Sequence, residues 1–143
     1  MAAYVGYQLG TELLLEGGNA GTDSWKLILS NTAPDVATHT TAASATELST
    51  SGGYTAGGVV CSVTSATQTA GVYKLTLAAP ASPTWTASGG GFTFRYVILY
   101  NLTNTQRVAY WDYGSSVVMN GTNADTFTPT LDPSNGTFTV TTP

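Results

Sequence analysis

The clearest pattern along the chain is a strict alternation. From Phe92 to Tyr100, the residues Phe92, Phe94, Tyr96, Ile98 and Tyr100 fall on one side of an extended backbone, and Thr93, Arg95, Val97 and Leu99 on the other. The second side turns apolar at Val97 and Leu99, which predicts a central strand covered on both faces at that end. A polar turn at Asn101–Gln106 follows. The chain then returns through Val108–Tyr113, with Val108, Tyr110 and Asp112 opposite Ala109, Trp111 and Tyr113. Two such runs joined by a short polar loop predict an aromatic hairpin.

Other segments alternate more briefly. Asp23–Ser30 puts Trp25, Leu27 and Leu29 opposite Lys26 and Ile28, and Pro34 marks its end because proline has no N–H for a ladder. Val59–Thr64, Gly71–Ala78 with Tyr73, Leu75 and Leu77 inward, Pro83–Ala87 around Trp85, Ser115–Met119, Asp125–Thr130 and Thr137–Thr141 read as further short strands. Residues 132–136 carry the chemistry of a tight turn. About eight to ten strands with turn signals between them predict an all-β, jelly-roll-like antiparallel β-sandwich. It occupies residues 23–143 as one domain, preceded by an arm or short helix at 1–22. Within that arm Val5, Leu9 and Leu13 recur at spacing four, which predicts a helix over Ala3–Glu16, with an extended arm as the alternative. The polar segment Asp35–Thr50 is long for a connection inside a compact domain and is a candidate contact surface.

Composition agrees with the strand reading. Only 8% of the 143 residues are charged, against roughly 25% in an ordinary soluble domain, and Thr, Ser, Gly and Asn take their place. A surface so poor in charge suits a subunit that packs against copies of itself or a large partner. The net charge is −4, and Lys26, Lys74, Arg95 and Arg107 form no basic run, so nucleic acid is not an expected partner. No apolar run reaches the length of a membrane span, and no secretory signal opens the chain, so synthesis in a host cytoplasm is expected. Cys61, the single cysteine, shares a face with Val59 and Val63 and reads as a small buried hydrophobe.

Candidate chemistry is sparse. His39, the single histidine, lies in a polar loop, and no cluster of His, Cys and carboxylates has metal-ligand spacing. Asp112, Asp125 and Asp132 offer carboxylates for a glycosidase pair, but two of them read as turn formers and Asp112 as a partner for Arg95 or Arg107. The expectation is a protein that is no enzyme and needs no cofactor or metal. The aromatics leave two readings open. Trp85, Trp111 and Tyr113 are candidates for stacking on a glycan, and the same side chains suit a core or a subunit interface.

The ordered set Leu-Ser-Asn-Thr-Ala-Pro (29–34), Gly-Gly-Tyr-Thr-Ala-Gly-Gly (52–58), Trp-Thr-Ala-Ser-Gly-Gly (85–90), Phe-Arg-Tyr-Val-Ile-Leu-Tyr-Asn (94–101), Tyr-Trp-Asp-Tyr-Gly-Ser-Ser (110–116), Asp-Thr-Phe-Thr (125–128) and Asn-Gly-Thr-Phe-Thr (135–139) resembles a family of small tailed-bacteriophage virion structural proteins. The resemblance implies a virion component. The first expectation is a capsid decoration (cement) protein on the outer surface of the shell, a homotrimer that binds the major capsid protein and bridges capsomers. The alternative is a head- or tail-fibre domain that binds a host surface glycan. On the first reading the contact residues come from the arm (Tyr4, Val5, Leu9, Leu13), the long loop (Val36, His39, Leu48) and the hairpin (Tyr110, Trp111).

Overall fold

The computed structural model describes residues 2–6, 19–38, 46–78, 84–132 and 134–141, and among them every regular element is a strand. Nine strands form: β1 (Ala3–Gly6), β2 (Trp25–Ser30), β3 (Val59–Thr69), β4 (Val72–Ala78), β5 (Trp85–Thr86), β6 (Phe92–Asn101), β7 (Gln106–Met119), β8 (Thr126–Phe127) and β9 (Phe138–Thr141). Seven of them make one curled antiparallel sheet in the order β1-β7-β6-β2-β3-β4-β9, and β5 and β8 pair as a small second sheet. The chain is therefore all-β, with an architecture consistent with a β-sandwich.

Strand β2 shows why the centre lies where it does. Its apolar residues alternate so that Trp25, Leu27 and Leu29 enter the main core while Ile28 joins a second apolar cluster with Tyr96, Ile98 and Tyr100. Both faces are covered, as the apolar turn at Val97 and Leu99 predicts. The main core fills the concave side of the sheet and is closed by β5 and β8, which contribute Trp85 and Phe127. Val36 and Tyr110 pack against the smaller cluster on the opposite face. Cys61 is buried with Val59 and Val63 packed beside it, as its alternation predicts.

The hairpin of β6 and β7 departs from strict alternation in two places. The register shifts between Phe94 and Tyr96, and again between Leu99 and Tyr100. Phe92 and Phe94 therefore share the main core with Val97 and Leu99, while Tyr96, Ile98 and Tyr100 face the other way. The expectation that Phe92 through Tyr100 would hold one face is corrected by these bulges. They also join Val108–Tyr113 and Ser115–Met119, read from sequence as separate strands, into one continuous β7.

Gly114 makes that continuity possible. It adopts φ +79, a left-handed conformation that costs a side-chain-bearing residue energy. Asp112 fixes the irregularity: its Oδ1 accepts the Gly114 N–H at 2.7 Å and the Arg95 Nε–H at 2.8 Å, and its Oδ2 accepts Arg95 Nη2 at 3.0 Å. Of the two arginines considered for Asp112, the structure selects Arg95; Arg107 is buried.

The helix expected over Ala3–Glu16 is not formed at its start. Ala3–Gly6 is instead β1, paired antiparallel with Asp112 through Ala109 of β7. Residues 7–18, including Leu9 and Leu13, lie outside the described residues, as do His39 and the rest of 39–45. The extended alternative holds for the part that is described. At residues 46–58 a turn is tied to β2 by Tyr54, whose hydroxyl donates to Glu47 Oε1 at 2.6 Å and accepts the Leu29 N–H at 3.1 Å. The Gly57 N–H donates to the same Glu47 oxygen.

Candidate functional site

A groove of about 680 Å³ lies where the two edges of the curled sheet approach each other. Strands β1 and β7 form one wall, and the stretch from Phe127 to Thr139 forms the other. Its size falls in the range of small-molecule sites, roughly 300–1,000 Å³.

Local structure explains the aromatic wall. Beyond the bulge at Gly114, β7 alternates so that Tyr113 and Trp111 both point to the concave side, where they pack against the main core. Register places Tyr4 of β1 beside Trp111, and the two rings meet edge to face with centroids 5.5 Å apart. Tyr113 is held edge-on between Phe94, at 5.8 Å, and Phe127, at 5.6 Å. Burial raises the Tyr113 phenol above its ordinary pKa, so it stays a hydrogen-bond donor throughout the neutral range.

The facing wall is hydroxyl-rich. Thr128, Thr130, Thr137 and Thr139 line it, with Asp132 and Asn135 at its rim. Asp132 organises the rim turn: its Oδ1 accepts the N–H groups of Ser134 and Asn135, at 2.8 and 3.1 Å, and its Oδ2 accepts Asn135 Nδ2 at 2.7 Å. These bonds, that of the Asn135 side chain foremost, hold the Asp132 carboxyl below the usual carboxylate range. The Lys74 ammonium braces the same turn by donating to the Ser134 carbonyl at 2.6 Å. Among the described residues lining the groove, Asp132 is the single charged one, and none is His, Cys, Lys or Arg.

The structure brings together some of the residues singled out from sequence and separates others. Tyr4, Trp111 and Tyr113 meet in the groove. Trp85 does not: it is 4% exposed, stacked on Phe127 at 5.8 Å and packed against Tyr54. Its ring faces are occupied by core neighbours, so its place as a glycan-stacking residue is corrected to that of a core residue. Val5 is half-buried in β1. Leu48 packs against the main core, and Val36 and Tyr110 against the smaller cluster.

The three carboxylates weighed for catalysis each serve a local motif. Asp112 pairs with Arg95, Asp125 accepts the Asn120 N–H at 2.8 Å, and Asp132 caps its own turn. No group of three metal-ligating side chains occurs among the described residues. Sequence reasoning did not single out Phe138, Asn135 or the threonines of the facing wall as site residues. Phe138 and Thr139 reach the groove through the pairing of β9 with β4, and Thr128 follows β8, which pairs with β5; both are long-range contacts that no local pattern encodes.

No protein-family model, no curated protein and no solved structure matches the chain.

Proposed function

We propose that this chain is a virion structural subunit of a tailed bacteriophage, a capsid decoration protein that trimerises on the outer shell and binds the major capsid protein. What carries the reading is where the charge goes. Lys26 donates to the Gly57 carbonyl at 2.9 Å, Lys74 to Ser134, and Arg95 to Asp112, while Arg107 is buried. The four basic side chains of the chain are thus directed inward or onto local partners, and apolar side chains stand outside in their stead. Val118 is 69% exposed, Val60 53% and Tyr4 45%. Such a surface favours contact by shape and apolar area over ionic steering, as in an assembly that forms once and persists. The resemblance of the motif order to phage virion structural proteins favours the same reading.

The mechanism is mechanical. A trimer seated across neighbouring capsomers adds interface that must be lost before they part, and it stabilises the shell by mass action on the bound state. In the described part of the arm, Tyr4 and Val5 are the contact residues for this role.

Light scattering of the purified protein is expected to give a trimer, and the protein is expected to co-sediment with empty capsids of its phage. That binding should persist as salt rises from about 0.1 to 1 M, where the Debye length shrinks to roughly 3 Å. A monomer that leaves capsids bare at every salt concentration would overturn the proposal.

A further inference from the structure

Trp111 and its neighbours form more than a rim for the core. We infer that the groove between β1–β7 and residues 127–139 is a binding site for a neutral oligosaccharide, with Trp111 as its stacking platform. The inference concerns the free subunit, because Tyr4 also belongs to the proposed shell contact.

The two walls match the two chemistries of a pyranose. A sugar ring presents an apolar C–H face and a belt of hydroxyls. An aromatic wall of Tyr4, Trp111 and Tyr113 meets the first, and threonine hydroxyls with the Asp132–Asn135 turn meet the second. Two of those hydroxyls already serve the fold, Thr128 Oγ1 accepting the Thr84 N–H at 3.2 Å and Thr137 Oγ1 the Leu77 N–H at 3.1 Å. A purely apolar occupant would still take the hydroxyls of Thr130 and Thr139 out of water, which is costly. An anionic occupant faces the opposite problem. Among the described lining residues none is basic, the nearby Lys74 ammonium is engaged with the Ser134 carbonyl, and hydrogen bonds within its own turn favour the ionised form of Asp132 at the rim. Sulfated, phosphorylated and uronic-acid polymers are therefore disfavoured.

The site is also preorganised. Trp111 is fixed by the edge of the Tyr4 ring, and Tyr113 is locked between Phe94 and Phe127. The rim turn is held by three hydrogen bonds to Asp132 and a fourth from Lys74. Little ordering is left to oppose binding.

The test uses the full chain with cellohexaose, maltohexaose and chitohexaose, and with polygalacturonate as the acidic comparison. Binding is followed by calorimetry and by tryptophan fluorescence. Trp25 and Trp85 are buried in the core, so a ligand-induced change reports on Trp111. At least one neutral hexaose is expected to bind saturably. Trp111→Ala should lower its affinity at least about tenfold, equivalent to about 1.4 kcal/mol, and Trp111→Phe should retain most of it. Thr139→Val, on the exposed side of β9, supplies a second variant that removes one hydroxyl and keeps the shape. It should weaken binding while leaving the fold intact by circular dichroism. The site is overturned if none of the three neutral hexaoses binds at millimolar concentration, if Trp111→Ala and Thr139→Val both bind like the parent, or if polygalacturonate is preferred. None of those results would bear on shell binding, which is measured separately.

Discussion

Asp112 and Tyr54 show how single polar side chains hold this fold in register. Asp112 closes the bulge of β7 by accepting from Gly114 and Arg95 at once. That it pairs with an arginine was legible, but the choice of Arg95 over Arg107 was not, because it depends on the strand register. The bulge itself was not, since one left-handed glycine leaves no mark on hydrophobic periodicity. In the sequence Tyr54 stands out only as part of the motif Gly-Gly-Tyr-Thr-Ala-Gly-Gly (52–58), yet its buried hydroxyl joins Leu29 to Glu47. Tyr54→Phe should cost about 1–3 kcal/mol in urea unfolding, because the Leu29 N–H loses its acceptor and Glu47 a donor. Trp85 teaches the converse. A tryptophan flanked by polar residues reads equally as a platform or as core, and its stack on Phe127 decides for core. Trp85→Ala is therefore expected to lower stability by about 3–5 kcal/mol, whereas Trp111→Ala, at the groove, should cost markedly less in the same unfolding experiment.

Among the elements, the loops at one end of the sheet are the most tightly interlocked. The Ser88 N–H donates to the Gly52 carbonyl and the Ala87 N–H to that of Asp125, which draws three turns together. Gly52 and Gly91 both take positive φ, and a Cβ on Gly52 would collide with the Gly91 carbonyl, one on Gly91 with that of Met119. Gly91→Ala should thus destabilise by about 2–3 kcal/mol through backbone strain and overlap. A thermal melt would show it, and an unchanged melting temperature would contradict the packing described. The strands were largely legible from alternation, and β2 and β4 fall within a residue or two of their expected bounds. Strand β1 was not. The spacing of Val5, Leu9 and Leu13 favours a helix locally, and the competing ladder to β7 comes from about a hundred residues downstream. Pairing partners, unlike periods, are not written into a short window.

At the scale of the molecule, ionisable groups set a pH window for stability. The thiol of Cys61, pushed up to about 12 by burial, and the phenol of Tyr54, raised by burial and by its bond to Glu47, both favour their neutral forms in the fold. Their contribution is complete below the ordinary values of 9.0 and 10.0 and is lost as pH rises beyond them. Asp112, lowered by its bond to Arg95, and Asp132, lowered by Asn135, act in the opposite sense. They stabilise above the ordinary value of 3.8 and cease to do so as pH falls through their lower folded values. Urea midpoints should accordingly form a plateau between about pH 4 and 9, with the alkaline shoulder shifted upward in Cys61→Ala. The sheet order carries a further consequence for biosynthesis. Ala3 lies opposite Asp112, so β1 waits on the ribosome for a partner strand made about a hundred residues after it. Closure of the β1 edge is thereby deferred until β7 has emerged, and nascent neighbours on one message would have that interval in which to trade strands.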